Sequence, residues 1–181
     1  MIGASFALVS FTNRILDRRD LGGRKLFALG LQYFNTGMRS MITMAIQFLF
    51  LTRYNLEPAQ ASLYLSFQHL PWTWKLFYGI FTDVFPICGS TKRAYVFLMG
   101  ILQASACILV VVGGTNLTAT TLMLLGVLNS LGGAVMDVVV DGMMVINSRK
   151  DPTSGSEELQ AYSWGFYGLG GIAGCLGSGF L

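Results

Sequence analysis

Charged residues are scarce in this sequence. Of its 181 residues, 12% are Asp, Glu, Lys or Arg, whereas a typical soluble domain has about 25%. So few charges cannot supply the polar shell of a soluble globular fold, and a chain that is 53% hydrophobic is too apolar to be disordered. The composition therefore argues against both classes and predicts a protein embedded in a membrane.

Residues that carry chemistry are also few. His69 is the only histidine, and the three cysteines, Cys88, Cys107 and Cys175, show no CxxC spacing, so metal and redox-motif interpretations are weak. No nucleophile–base arrangement is visible, and we predict neither an enzyme nor a metal or cofactor site. We expect these four residues to serve packing or an interface. The net charge of +3, without a soluble basic face, argues against a nucleic-acid partner.

Long hydrophobic runs dominate the sequence instead. One spanning helix needs about 20 apolar residues, so the chain has room for about five spans. Runs separated by polar and turn residues predict an N-terminal basic lead-in over residues 1–25, a polar loop over 147–158 and an all-α membrane fold over residues 26–181. The predicted spans cover residues 26–51, 59–81, 94–112, 119–146 and 159–181.

Basic residues collect on one side of these spans. The side opposite the N-terminus has only Arg53 in its loops, whereas the alternate loops and the lead-in hold Arg14, Arg18, Arg19, Arg24, Lys25, Lys92, Arg93, Arg149 and Lys150. The positive-inside rule then predicts an integral membrane protein with its N-terminus on the cytoplasmic or matrix side. The predicted location is the plasma membrane or an organellar inner membrane.

Four ionisable residues fall inside the spans, namely Arg39, Lys75, Asp137 and Asp141. Each costs about 2.5–3.5 kcal/mol or more near the bilayer middle, so it should face protein or water and have a partner. Their depths from the basic side are about 20, 9, 14 and 8 Å in that order, which predicts pairs of Arg39 with Asp137 and of Lys75 with Asp141. The set forms either a polar cavity for an anionic or polar substrate, with a carboxylate that takes up a proton, or a neutral cluster that fixes helix packing.

Two tryptophans stand close to one of these charges in the sequence. Trp72 and Trp74 both lie between Pro71 and Lys75, and Pro71 is expected to kink the helix. Their rings would stack on a flat substrate ring or on Lys75 itself, or would serve packing in the protein interior.

Small residues mark the last span, whereas the third span has almost no polar residue. Gly170, Gly174 and Ser178 have the four-residue spacing that lets membrane helices approach closely, which predicts tight packing or a sliding surface. In the third span Gln103 is the most polar interior residue, which is typical of a helix on the lipid-facing outside of a bundle.

The junction of the second and third spans carries a recognisable motif. Its residues Gly79, Asp83, Gly89, Lys92 and Arg93 resemble the Gly-x-x-x-Asp…Gly-x-x-[Lys/Arg]-[Arg/Lys] loop of the major facilitator superfamily. The surrounding blocks are more specific, and together they resemble the folate–biopterin transporter family over roughly residues 30–180. These blocks are PWTWKLFYG at residues 71–79, Phe85-Pro86, Arg93-Ala94-Tyr95, Asp137-Val-Val-Val-Asp141, Leu159-Gln160 and Trp164-Gly165.

This resemblance implies a carrier of folates or pterins, which are flat heteroaromatic anions, moved with protons. It implies substrate binding and coupling for Lys75, Asp137 and Asp141, to which the depth argument adds Arg39. It also implies gate roles for Asp83, Lys92 and Arg93 at the cytoplasmic face, spans one and four lining the cavity, and span three outside. Ile146 departs from the pattern, since an acidic residue often stands there, and this weakens a claim of intact transport.

The family fold has about twelve spans in two halves that bind substrate between them, and this chain resembles the first five. Three interpretations remain open. The chain is part of a full transporter, or a shortened member that serves as a structural subunit of a larger membrane complex such as a respiratory or photosynthetic one, or a unit that assembles with itself or another chain into a carrier. Its expected partners are the lipid bilayer, a folate- or pterin-like substrate if it is competent for transport, and further transmembrane helices from a second half or from other subunits.

Overall fold

The helices of the chain are described here from a computed structural model, for residues 23–87, 92–149 and 155–179. They are α1 (Gly23–Thr52), α2 (Pro58–Thr73), α3 (Lys75–Val84), α4 (Arg93–Gly113), α5 (Ala119–Ser148) and α6 (Gly155–Ser178), with one short 3₁₀ turn at Gly114–Asn116. No β-strand occurs in these three ranges, which confirms the predicted all-α class. Most of the basic lead-in, together with Cys88, Gly89 and Lys150, lies outside the described residues.

The hydrophobic runs place most helices well, with one difference at α6. This helix begins at Gly155, whereas the sequence predicts a polar loop as far as residue 158. Glu157 and Glu158 occupy its first turn, where acidic side chains favour the positive end of the helix dipole. The predicted loop is therefore wrong in its last part, because polarity alone does not distinguish a loop from the acidic first turn of a helix.

The second predicted span is interrupted at Trp74. Helix α2 ends at Thr73 and α3 begins at Lys75, and the Trp74 amide donates to the Pro71 carbonyl at 3.3 Å. Pro71 lies inside the last turn of α2, where its ring removes one backbone donor and crowds the preceding turn. The kink expected at Pro71 is therefore a break between two helices, and Lys75 heads a new one.

Helix α5 is the centre of the bundle, and each of the other five helices packs against it. Its buried face is built from small, apolar and a few polar residues, including Asn129, Ser130 and Asp137. Helix α4 packs mainly against α5 and leaves most of its length exposed. This position on the outside agrees with the expectation from its lack of polar residues.

Helices α1 and α6 lie unusually close together. A Cβ atom at Gly170 would overlap the backbone carbonyl of Phe34, so only glycine fits at this crossing. Gly174 and Ser178, on the same face of α6, also contact α1. The small residues of the last span thus let the two backbones pack directly on each other.

Large apolar side chains cover the outside of the bundle. Leu76, Val111 and Val112 are 73%, 79% and 77% exposed. Among the described helices, α4 and α5 are long and apolar enough to cross a membrane, judged by length and composition. An apolar surface of this extent needs lipid or further protein to cover it.

Candidate functional site

A pocket of about 580 Å³ opens between α1, α2 and α6. Its volume is in the range of small-molecule sites. The α1 side chains in its wall recur every three or four residues, so they form one face of that helix. The lining residues are Thr36, Gly37, Arg39, Ser40, Thr43, Met44, Gln47, His69, Trp72 and Tyr167.

Arg39 lies at the point where this pocket meets α5. Its Nη2 atom donates to Ser130 Oγ at 3.3 Å, and its Cζ atom lies 4.9 Å from the centre of a Trp72 ring. The guanidinium also rests on Gly133, where an added Cβ would lie 2.6 Å from Nη1. The lack of a side chain at residue 133 therefore makes room for the charged group between α1 and α5.

Lys75 forms an ion pair with Asp137 of α5. Its ammonium nitrogen also lies 4.4 Å from the centre of a Trp72 ring, so one indole contacts both cations of the site, an arrangement that stabilises each of them. Trp74 lies elsewhere: it is 53% exposed, and its ring is 5.2 Å from that of Phe77. Of the two tryptophans singled out, only Trp72 belongs to the cluster.

Asp141 accepts a hydrogen bond from the Tyr33 hydroxyl of α1. The pairs predicted from depth, Arg39 with Asp137 and Lys75 with Asp141, are therefore wrong. The two carboxylates are one helical turn apart, which is about 6 Å in depth, and the flexible lysine stem reaches across such a difference. The break before α3 also invalidates a depth measured along one straight helix.

The predicted gate residues lie at the basic end of the bundle. Lys92 forms an ion pair with Asp83 and also lies beside Gly142 of α5, where an added Cβ would be 3.3 Å from the ammonium nitrogen. Gly79 faces α5, and Arg93 is exposed at the start of α4. Gly89 lies outside the described residues. The ion pair thus ties the end of α3 to the start of α4, with α5 behind it.

Several site residues escaped the sequence reasoning. Thr43, Gln47 and Tyr167 line the pocket, and Tyr33 holds Asp141. The polar residues of α1 stand at helical spacing in an apolar run, and that stripe was the signal that could have revealed them. His69, predicted to serve packing or an interface, is exposed and lines the pocket.

The cavity wall also differs from what the resemblance implied. Helix α1 lines the pocket, but α5, the fourth predicted span, does not. It lies behind the wall and holds the two cations through Ser130 and Asp137. In the described ranges, no three His, Cys, Asp or Glu side chains gather as a metal site would require.

Comparison with known proteins finds relatives in the same family that the motifs resemble. Probable folate-biopterin transporter 4 of Arabidopsis thaliana is 29% identical over 164 residues, which cover 90% of this chain and 33% of that protein. The folate-biopterin transporter of Synechocystis sp. is 28% identical over 157 residues, covering 87% of this chain and 31% of that protein. Folate transporter 1 of Plasmodium falciparum is 27% identical over 114 residues, covering 62% of this chain and 22% of that protein.

The chain thus spans about a third of the length of the first two relatives. No solved structure matches it. The family model of the BT1 family matches residues 36–181. This range is most of the chain and includes every candidate residue of the pocket and of the gate. The resemblance found in the motifs is therefore confirmed, and the chain belongs to the BT1 family of integral membrane proteins.

Proposed function

We propose that this chain provides one bundle of a membrane carrier for folate- or pterin-like anions. The observation that carries the proposal is the shared wall of Arg39 and Trp72, where a guanidinium and an indole line one open pocket. A flat heteroaromatic anion needs a cation for its charge and an aromatic surface for its ring. The names of the relatives support this substrate class for them.

The low dielectric of the surroundings makes these charges effective. A cation in a membrane bundle attracts an anion more strongly than it would in water, because little solvent screens it. An ionisable residue at such a position is expensive to maintain, which favours a functional role over a passive one. Lys75 lies next to Arg39 on the same Trp72 ring, and it adds to the positive potential that a substrate meets once Asp137 no longer neutralises it.

We propose proton coupling at the Lys75–Asp137 pair. As a carboxylate, Asp137 neutralises Lys75. When Asp137 takes up a proton, the ammonium loses its counter-charge and becomes free to attract the anionic substrate. Proton and anion would then bind together, as cotransport requires. Asp141, held by Tyr33, is a second carboxylate for the same route.

Completion of the pocket requires further transmembrane helices. The wall described here comes from α1, α2 and α6, and carriers of this superfamily bind substrate between two bundles. We propose that a second half, or other subunits, covers the open side. Movement between the two bundles would then open and close the basic end, where Asp83, Lys92 and Arg93 would act as the gate with Gly79 and Gly89.

The deciding experiment follows the native protein and its ligand binding together. We would purify the chain from its own membrane, determine what copurifies, and measure binding of labelled folate to the purified chain in lipid nanodiscs. Saturable binding that weakens in Lys75→Gln supports the carrier. Absence of binding, together with stoichiometric association with a respiratory or photosynthetic complex, would instead establish the structural-subunit alternative.

Orientation has its own test. We propose that the N-terminus lies on the cytoplasmic or matrix side, which places the 3₁₀ turn before α5 on the opposite side and the end of α5 on the same side as the N-terminus. In a cysteine-free background, Asn116→Cys should react with an impermeant maleimide added to intact cells or organelles, and Ser148→Cys should react only after the membrane is opened. The reverse pattern would contradict the orientation.

A further inference from the structure

Of the two cations at this site, Lys75 is paired with a carboxylate of the described residues, whereas Arg39 is not. Arg39 donates a hydrogen bond to Ser130 Oγ at 3.3 Å, although a guanidinium carries five N–H donors. Asp137 acts on Arg39 electrostatically, but its carboxylate is bound by Lys75, and Asp141 is bound by Tyr33. In the part of the chain that the structure describes, Arg39 therefore has donors left for an anion in the pocket.

The hydroxyl groups beside Arg39 are less available. Thr36, Ser40 and Thr43 each donate to a carbonyl three or four residues earlier in α1, at 3.0, 3.0 and 3.2 Å. Their protons are thus used within the helix, and they offer a ligand only lone pairs. The side-chain donors that remain on the α1 wall are Arg39 and Gln47, which are two turns or about 12 Å apart along the axis.

Helix α2 orders the rest of the pocket between these two ends. Trp72 contacts Arg39, and His69 lies one turn earlier on α2. Because α2 follows α1 after a short turn and runs back along it, His69 lies toward the Gln47 end. The pocket thus presents a cation, then an indole, then an imidazole and an amide. A matching ligand has a carboxylate and an aromatic ring beside it. It also has a second ring, whose polar edge lies about 10 Å from the carboxylate.

Building on the proposed function, we propose that Arg39 is a carboxylate-binding residue that makes this pocket select carboxylate-bearing pteridines over pterins without a carboxylate. The guanidinium fork binds a carboxylate through two parallel hydrogen bonds. In a folate, the aminobenzoyl ring beside the glutamate would lie against Trp72. The pteridine edge would then reach His69 and Gln47. Biopterin has no carboxylate and would leave Arg39 unused.

The test compares three probes on the full chain in lipid nanodiscs: folate, its dimethyl ester and biopterin. Loss of a charged hydrogen-bond pair predicts that Arg39→Gln weakens folate binding about 10- to 100-fold and changes biopterin binding less than about twofold. The ester should bind wild-type chain about as weakly as folate binds the variant. Arg53→Gln is the matched control, because Arg53 is exposed and donates to the Gly114 carbonyl outside the pocket.

The outcomes distinguish a failure of the role of Arg39 from a failure of the carrier function. Equal weakening of folate and biopterin in Arg39→Gln, or full affinity of wild-type chain for the ester, overturns the role of Arg39 and leaves the carrier proposal standing. Failure of wild-type chain to bind either folate or biopterin overturns the proposed function itself. If Arg39→Gln does not fold, the ester comparison on wild-type chain and the conservative Arg39→Lys still decide, since lysine keeps the charge but loses the fork.

Discussion

The ion pair between α3 and α5 permits a quantitative test. Replacing Asp137 by Asn leaves the ammonium of Lys75 without its counter-charge beside the first turn of α3, where the positive end of the helix dipole adds to the penalty. Replacing Asp141 by Asn is the matched control, one turn further along α5. This change removes the negative charge beside the Tyr33 hydroxyl but leaves an amide oxygen that still accepts its hydrogen bond.

The burial of the two partners sets the expected magnitude. Loss of one partner of a fully buried pair costs about 3–5 kcal/mol. The side chain of Asp137 is 12% exposed but that of Lys75 is 35% exposed, so water solvates part of the released charge and reduces the cost. We expect about 2 kcal/mol for Asp137→Asn, about 1 kcal/mol for Asp141→Asn, and a coupling of about 1–2 kcal/mol between Lys75 and Asp137.

The assay is reversible unfolding of the purified chain in mixed micelles of increasing SDS content, followed by circular dichroism. Single and double variants of Lys75→Gln with each aspartate form two thermodynamic cycles. The charge reversal Lys75→Asp with Asp137→Lys should recover part of the lost stability. A stronger coupling of Lys75 to Asp141 than to Asp137 would refute the geometry and restore the pairing expected from depth.

Two further predictions concern the contacts that helix α1 makes with α6 and with α5. Gly170→Ala should destabilise the bundle by about 1–3 kcal/mol, because the added methyl overlaps the Phe34 carbonyl. Gly171→Ala, whose Cβ would meet nothing within 4 Å, should have little effect, and equal SDS midpoints would contradict the close packing. Tyr33→Phe should cost about 1–2 kcal/mol. In a Tyr33→Phe and Asp141→Ala cycle, in which each single change removes the hydrogen bond, the two costs should not add, and full additivity would exclude that bond.

The sequence predicts the helices of this fold far better than it predicts the contacts between them. Apolar runs of membrane length determine where α4 and α5 begin and end, because the bilayer imposes that length. The small residues around Gly170 likewise indicate a close crossing before its partner is known. Such signals are local, and each can be read from one segment of the chain.

Partners of the charged side chains depend on information that no single segment holds. Whether Lys75 meets Asp137 or Asp141 depends on the rotation of α5 and on the break after Pro71, and both are properties of the packed bundle. Tyr33 gave no sign of its role, since a tyrosine in an apolar run is ordinary. The polar stripe of α1 was visible in principle, but only Arg39 carried a charge that drew attention to it.

The interruption at Trp74 makes α3 a separate, short and stiff helix. It is a 10-residue helix, about 15 Å long, with its own two ends. Lys75 is its first residue, and Asp83 lies near its last, so the Lys75–Asp137 and Asp83–Lys92 ion pairs are both attached to one short helix. A displacement of α3 along its axis would therefore change both ion pairs together, and the interruption at Trp74 separates α3 from α2.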